Sequence, residues 1–169
     1  MVKIELKIAK IDKDIKKWVN WLNEKNNSIY TNRRLKKHTI RSQKKFIDSK
    51  NKSKNTLLYK IYLNSEFVGA LEVCDIDNFH KTCEIGFFIG DKSNWGKGVA
   101  TQAVKIAKNI MIKKYKIKKI YGSCYSKNRG SAKVFAKNKF KKIAIFKKYY
   151  RLSTNNYSRD NKVWFEFSN

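Results

Sequence analysis

Gly96 and Gly98 stand one residue apart in a chain with only seven glycines. They fall where an apolar segment gives way to a helical one. The stretch runs Glu84-Ile85-Gly86-Phe87-Phe88-Ile89-Gly90-Asp91-Lys92-Ser93-Asn94-Trp95-Gly96-Lys97-Gly98-Val99-Ala100-Thr101. Its first part has strand character and ends at Ile89. A polar loop follows, and an amphipathic helix opens at Val99. Strand, glycine loop and helix start together make a phosphate cradle. Glycine lets the backbone approach a ligand closely, and the first helical N–H groups point outward with the positive end of the helix dipole. The plainer alternative is a glycine-rich connection that binds nothing.

The elements that would position this cradle follow from hydrophobic period. Residues 2–9 read as a strand. Asp12 can cap a helix that carries Ile15, Trp18, Val19 and Leu22 at i, i+3, i+4, i+7 spacing. Residues 24–38 are polar and irregular. A second, weaker helix is expected from Thr39 to about Ser49, with Phe46 and Ile47 inward, and then a turn from Lys50 to Asn55. Thr56 to Leu63 and Phe67 to Cys74 read as strands of a hairpin around Asn64-Ser65-Glu66. Asp75 to Lys81 is a loop, and Thr82 to Ile89 is the next strand. The helix after the glycines places Val99, Ala103, Ile106, Ala107 and Ile110 on one face. Ile117 to Tyr125 is a strand. Asn128 can cap a short helix to about Asn138, with Val134 and Phe135 inward. Phe140 to Tyr150 and Lys162 to Phe167 form a final strand pair. The order is β-α-α-β-β-β-α-β-α-β-β, a single α/β domain over residues 1–169 with a mixed sheet. The central βαβ unit makes the middle strands parallel through a right-handed crossover.

Composition narrows the classes of function. An apolar share of 41% with ten Phe, nine Tyr and four Trp excludes a disordered chain. No segment approaches the roughly 18 uninterrupted apolar residues of a membrane span, and the N-terminus lacks the apolar region of a signal peptide. A cytoplasmic protein without membrane insertion is expected. Cys74, Cys83 and Cys124 have no CxxC spacing and read as buried reduced thiols. His38 and His80 are far apart and lack a ligand-like Cys/His cluster, so no metal is expected. The formal net charge of +27 invites a nucleic-acid reading. However, lysine dominates arginine, and the lysines are spread over every segment. Solvated faces from a general compositional drift fit best, attraction to anionic small ligands second, and a nucleic-acid face least.

The residues of the cradle resemble the GNAT superfamily of acyl-CoA N-acyltransferases. That family's cofactor signature is Gln/Arg-x-x-Gly-x-Gly/Ala at a strand-to-helix turn. Gly98-Val99-Ala100 matches its last half, and Trp95 stands where Gln or Arg usually does. Trp95-Gly96-Lys97-Gly98-Val99-Ala100-Thr101 looks like the branch containing ribosomal-protein N-terminal acetyltransferases and many amino-sugar acetyltransferases. Asn128-Arg129-Gly130-Ser131-Ala132-Lys133-Val134-Phe135-Ala136-Lys137-Asn138-Lys139-Phe140 is similar to that branch's Asn-x-x-Ser-x-x-Val/Leu-x-x-x-x-Gly-Phe. Lys139 replaces the usual Gly, which implies a strained or rebuilt turn.

The resemblance implies a central parallel strand pair splayed around acetyl-CoA. The pyrophosphate would rest on the N–H groups of residues 96–101. The pantetheine arm would extend beside Phe87-Phe88-Ile89, in the gap between this strand and Ile117–Tyr125. A backbone N–H near Ile89 would polarise the thioester carbonyl. Asn128 would hold pantetheine, cap its helix, or both. Glu84 is placed where this branch has a general base. A partly desolvated carboxylate with a raised pKa suits that work, because a primary amine is mostly protonated at neutral pH. The alternative for Glu84 is an ion pair with one of the many lysines. Many GNAT enzymes use a Tyr to protonate the thiolate, but the corresponding position here is Phe135. Ser131, one turn earlier on the same face, is the candidate donor unless it only satisfies first-turn backbone groups. Tyr125 and Tyr121 are fallback donors.

Tyr30, Arg33, Arg34 and His38 read first as solvated loop residues, with contact to an anionic acceptor as the alternative. His38-Thr39-Ile40-x-Ser42-Gln43-x-x-Phe46-Ile47 looks like GNAT proteins of bacterial surface-sugar pathways. The expected activity is acetyl-CoA-dependent N-acetylation of a primary amine on a small anionic acceptor, first of all a nucleotide-linked amino sugar in surface-polysaccharide or nonulosonate synthesis. N-terminal acetylation of a ribosomal protein is the alternative within the enzyme class. A non-catalytic acyl-CoA-binding or RNA-associated protein is the alternative outside it. A monomer or a homodimer is compatible with the sequence.

Overall fold

The computed structural model describes residues 3–152 and 158–169. The strands are β1 (Ile4–Ile8), β2 (Leu57–Leu63), β3 (Glu66–Asp77), β4 (Thr82–Ile89), β5 (Lys119–Tyr125), β6 (Lys141–Arg151) and β7 (Arg159–Ser168). The helices are α1 (Ile15–Asn23), α2 (Lys25–Ser28), α3 (Ile40–Lys52), α4 (Val99–Lys113) and α5 (Arg129–Lys137). The strands form one sheet in the order β1-β2-β3-β4-β5-β7-β6. Every neighbouring pair is antiparallel except β4 and β5. The parallel pairing covers only Thr82↔Lys119, Cys83↔Ile120 and Glu84↔Tyr121. Past Glu84 the two strands part, so the expected splayed pair is present and its vertex lies at Glu84.

Helices cover both faces of the sheet. One core joins Ile61, Val68, Leu71 and Ile85 to Val99, Ala103, Ala107 and Met111 of α4 and Phe135 of α5. The other joins Trp18, Trp21 and Leu22 of α1 and Ile47 of α3 to Leu58, Phe67 and Ala70. No helix among the described residues is long and apolar enough to cross a membrane.

Several boundaries differ from the sequence reading. The N-cap of α1 is Asp14 rather than Asp12. Asp12 instead accepts the Asp14 N–H at 3.0 Å and binds the Lys60 ammonium, which is almost wholly buried. Asp14 accepts from Lys60 at 3.1 Å and from the Tyr62 hydroxyl at 2.8 Å. A buried ammonium must be paired, and Lys60 draws both aspartates to the sheet. The inward face of α4 includes Val104, Lys108 and Met111, while Ile106 and Ile110 are only partly buried. This helix packs against α5 as well as the sheet. The helix α3 runs on to Lys52, and Asn51 Nδ2 donates to the Ala9 carbonyl at 2.9 Å. Residues 24–38 hold α2 and a 3-10 turn at Asn32–Leu35. Lys139 takes φ +66°, the left-handed turn that glycine would supply without cost. Cys83 and Cys124 are buried and Cys74 is partly so; all three are free thiols.

Candidate active site

The backbone of β4 prepares one side of the gap. Gly90 N–H donates to the Val68 carbonyl at 3.0 Å. Bonded pairs alternate along an antiparallel ladder, and with Gly69 opposite Ile89 the next bonded residue is Phe88, opposite Ala70. The peptide groups of Phe87 and Ile89 therefore turn away from β3, toward the gap. The Ile89 carbonyl there accepts the Trp95 indole N–H at 2.9 Å. Trp95 thus ties the glycine loop to the end of β4. Phe88 does not face the gap: its peptide groups belong to the β3 ladder, and its side chain packs on the core beneath α1.

At the wide end of the gap lies the cradle. Gly96 has φ +75° and Gly98 φ +81°, and a Cβ built on either would meet nothing within 4 Å. The space beside both is open, and their left-handed conformation is one that glycine adopts freely. Gly98 is the N-cap of α4 and offers no side chain as a cap. Gln102 N–H reaches the Gly98 carbonyl at 3.0 Å. Among the described residues, the N–H groups of Val99, Ala100 and Thr101 have no carbonyl acceptor. Unsatisfied donors at a helix start, flanked by open glycines and the exposed Lys97, suit a phosphate group.

Across the gap stands α5. Asn128 caps it: its Oδ1 accepts the Ser131 N–H at 3.1 Å. A cavity of about 130 Å³ opens between this cap and β4, lined among others by Gly86, Phe87, Ser123, Asn128, Ser131 and Tyr150. The structure therefore brings Asn128 and Ser131 to the gap that Phe87 and Ile89 face. Phe135 is 99% buried and packs as a ring among rings with Phe87, Phe140 and Phe165. A larger apolar depression of about 400 Å³ lies beyond α5, against β6 and β7. It lacks the convergent polar groups of the first.

Glu84 sits at the vertex. Ser123 Oγ donates to Glu84 Oε1 at 3.1 Å. Burial pushes the Glu84 carboxyl above its ordinary range, partly opposed by the Ser123 hydrogen bond and the charge of Lys162, while Asp75 and Glu72 add to the rise. Cys74, Asp75 and Glu84 bring ligand-type atoms within 4.8 Å of one another. Burial keeps the Cys74 thiol protonated, pushed up to about 12. Of the two readings left open for Glu84, the ion pair is absent: no lysine lies within salt-bridge distance among the described residues.

The loop residues divide. Tyr30 lines the cavity and packs 5.9 Å from the Tyr125 ring. Arg34 is spent internally, donating to the carbonyls of Thr31 and Arg151 at 2.6 Å and to the Tyr125 hydroxyl at 2.9 Å. Arg33 lies over the Phe46 ring at 4.7 Å. His38 Nε2 lies 2.9 Å from the Arg33 carbonyl and can only donate to it. These three side chains build the loop rather than a ligand site. Tyr125 gives its own proton to Asn32 Oδ1 at 3.0 Å, and Tyr121 faces Trp164 and Glu166.

Three residues of the site escaped the sequence reading: Gly86, Ser123 and Tyr150. The first two had a signal. In a strand the side-chain period is two, so pairing Glu84 with Tyr121 puts Gly86 and Ser123 on the same face as Glu84. A Cβ on Gly86 would meet nothing within 4 Å, so this glycine leaves room beside the carboxylate. Tyr150 had none, because a bulge in β6 sets its position.

A family model described as the acetyltransferase (GNAT) domain matches residues 5–141. No curated protein matches the sequence. Solved structures do match in fold. The Salmonella typhimurium acetyltransferase that modifies the N-terminal serine of ribosomal protein L7/L12 superposes with TM-score 0.83 at 17% identity, over 98% of this chain and 95% of that one. A Vibrio cholerae spermidine N-acetyltransferase in complex with CoA and spermine gives 0.84 at 14% identity, over 98% and 95%. The microcin C7 self-immunity acetyltransferase MccE, in complex with acetyl-CoA and AMP, gives 0.83 at 18%, over 99% and 93%.

Proposed function

The chain belongs to the GNAT acetyltransferase family, and on that premise we propose that it moves the acetyl group of acetyl-CoA to a primary amine on an anionic acceptor, first of all a nucleotide-linked amino sugar. One observation carries the reading. The open glycine cradle at the start of α4, the gap-facing peptides of Phe87 and Ile89, and the desolvated Glu84 lie along one parting of β4 and β5.

The residues divide the work as follows. The N–H groups of Gly96 to Thr101 bind the pyrophosphate, with Lys97 adding charge and Trp95 holding the loop to β4. The Phe87 and Ile89 peptides orient the pantetheine arm, and the Ile89 N–H polarises the thioester carbonyl. Asn128 holds the arm from the α5 side. Glu84 takes the proton that the ammonium must lose before nitrogen can attack. Ser131 returns a proton to the departing thiolate. The acceptor enters beside Gly86, among Tyr30, Tyr125 and Tyr150, rings that suit a nucleotide or sugar face. The net charge of +27 raises the local concentration of a polyanionic donor and acceptor.

N-terminal acetylation is the second reading, favoured by the fold shared with the Salmonella enzyme. The test is release of free CoA thiol with three amines: UDP-glucosamine, a peptide beginning with serine, and spermidine. Fastest turnover of UDP-glucosamine supports the first reading. Preference for the peptide supports the second, and preference for spermidine overturns the anionic acceptor.

A further inference from the structure

Arg33, Arg34 and His38 are used inside their own loop, so the anionic group of the acceptor needs another partner. The sheet face that carries Glu84 offers one. Glu84 stands opposite Tyr121 of β5, and Tyr121, Ser123 and Tyr125 stand opposite Glu166, Trp164 and Lys162 of β7. With a side-chain period of two, all of these project from one face. We propose that Lys162 binds the phosphate of the acceptor and so selects an anionic amine. This rests on the acetyltransferase reading above and adds a specificity residue to it.

The ammonium is held in place without being neutralised. Its Nζ lies 4.1 Å from the centre of the Trp164 ring and 4.9 Å from that of Tyr149. Ring faces attract a cation through their quadrupole, yet they carry no net charge to cancel it. The two buried lysines among the described residues are different. Lys60 is paired with Asp12 and Asp14, and Lys108 donates to the Asn138 carbonyl at 2.8 Å. Lys162 is partly exposed. Among the described residues its Nζ has no carboxylate within salt-bridge distance and no hydrogen-bond acceptor. Its N–H groups are free for a ligand oxygen, and a bond from ammonium to phosphate is of the strong, charge-assisted kind.

The position fits as well. Lys162 stands directly across from Tyr125, which lines the cavity with Ser123 and Tyr150. Tyr150 lies flat on Tyr125, ring centroids 3.7 Å apart at 11°, and meets the Tyr149 ring edge-on at 5.0 Å. Rings therefore run from the cavity to Lys162 without a break. Phe146, opposite Lys162, and Tyr149 are 47% and 52% exposed, so they offer a stacking surface beside the ammonium. At the other end Ser123, opposite Trp164, donates to Glu84 at 3.1 Å. One strand spacing, about 5 Å, separates Ser123 from Trp164, which suits an amine and a phosphate borne by one sugar ring. A polyamine gains nothing here, because a second cation is repelled. Lys162 also partly offsets the upward push of burial on Glu84, an effect that falls on every acceptor alike.

The test compares three amines that share one sugar: UDP-glucosamine, glucosamine 1-phosphate and glucosamine, with acetyl-CoA as donor. The proteins are wild type, Lys162→Gln, Lys162→Arg, Lys162→Glu and a control at an exposed lysine beyond α5, Lys133→Gln. Thermal melts check folding, and steady-state kinetics are taken across pH. Wild type should prefer the two phosphorylated sugars. Lys162→Gln should raise their KM at least about tenfold, with the glucosamine KM and the acetyl-CoA affinity unchanged. Lys162→Arg should keep the preference, Lys162→Glu should reverse it, and Lys133→Gln should match wild type. One charge out of +27 hardly alters the overall field, so a loss confined to Lys162 is local. Equal losses with all three sugars, or a shifted acid limb with the preference intact, overturn the proposal, since Lys162 would then act on Glu84 alone. An unchanged Lys162→Gln in an enzyme that prefers the phosphorylated sugars overturns it too, and leaves the anionic acceptor standing. A wild type that uses glucosamine as well as its phosphates, or turns over none of the three, overturns the anionic-acceptor reading and the proposal with it.

Discussion

Gly122 of β5 and Phe135 of α5 share one volume: a Cβ on Gly122 would lie 2.2 Å from Phe135 Cε1. The missing side chain is what lets α5 settle on the sheet. That contact sets where Asn128 and Ser131 stand relative to the gap. Gly122→Ala should lower stability by about 1–3 kcal/mol, the usual cost of overpacking a filled core. Urea denaturation measures it. Unchanged stability would mean that α5 is free to shift and that the position of Ser131 is not fixed by this contact.

Gly86 tests the acceptor side separately. Its Cβ direction is open, so Gly86→Leu should fold normally and fill the space beside Glu84. The acceptor KM should rise at least about tenfold, roughly the loss of 1.4 kcal/mol of binding, while acetyl-CoA affinity is unchanged. Calorimetry with acetyl-CoA alongside steady-state kinetics reads both. Loss of acetyl-CoA binding would place the donor on this face instead.

Glu84 gives a pH prediction of definite sign. Its pKa is raised in the fold by burial. The acid limb of kcat/KM should therefore lie above the ordinary carboxylate range, and Glu84→Gln should lose about 10²–10⁴-fold at neutral pH. Stability should move the other way. A carboxyl with a raised folded pKa contributes stability below its unfolded pKa and loses it as pH rises through the folded pKa. Glu84→Gln should then melt no lower than wild type at neutral pH and above, and the difference should shrink in acid. A variant clearly less stable at neutral pH would contradict this account of Glu84.

Ser131→Ala should reduce kcat by less than Glu84→Gln does, because water can replace a hydroxyl donor. The helix should keep its cap, since Asn128 holds the Ser131 backbone N–H rather than its side chain. Thermal melts and kcat with a single acceptor test both halves. A drop in stability with kcat unchanged would make Ser131 a structural residue only.

The cradle was legible because its signal is local: two glycines, an apolar run before them and a helical period after. Glu84, Asn128 and Ser131 were named from the family resemblance, and the structure places them about the parting of β4 and β5. The acceptor side was not legible. Arg34 reads in sequence as a solvated loop residue or an anion contact, but it is consumed by the carbonyl of nearby Thr31 and by the Arg151 carbonyl and Tyr125 hydroxyl, partners far along the chain. Tyr150 depends on the bulge at Lys148, and the ring it stacks on, Tyr125, comes from β5, on the far side of β7. Asp12 looks like a cap until Lys60 is seen beneath it. In each case a long-range partner decides the role, and hydrophobic period carries no record of that partner.

We propose that acetyl-CoA binds along the parting of β4 and β5 with its phosphates on the Gly96–Thr101 turn. Titration calorimetry of acetyl-CoA into wild type and Gly98→Val tests it most directly. Gly98 holds φ +81°, so a β-branched residue strains the turn by about 1–3 kcal/mol and stands between the backbone and the ligand. The variant should stay folded, by circular dichroism, with affinity weakened at least about 100-fold, near 2.8 kcal/mol. Unchanged acetyl-CoA affinity in folded Gly98→Val would contradict it.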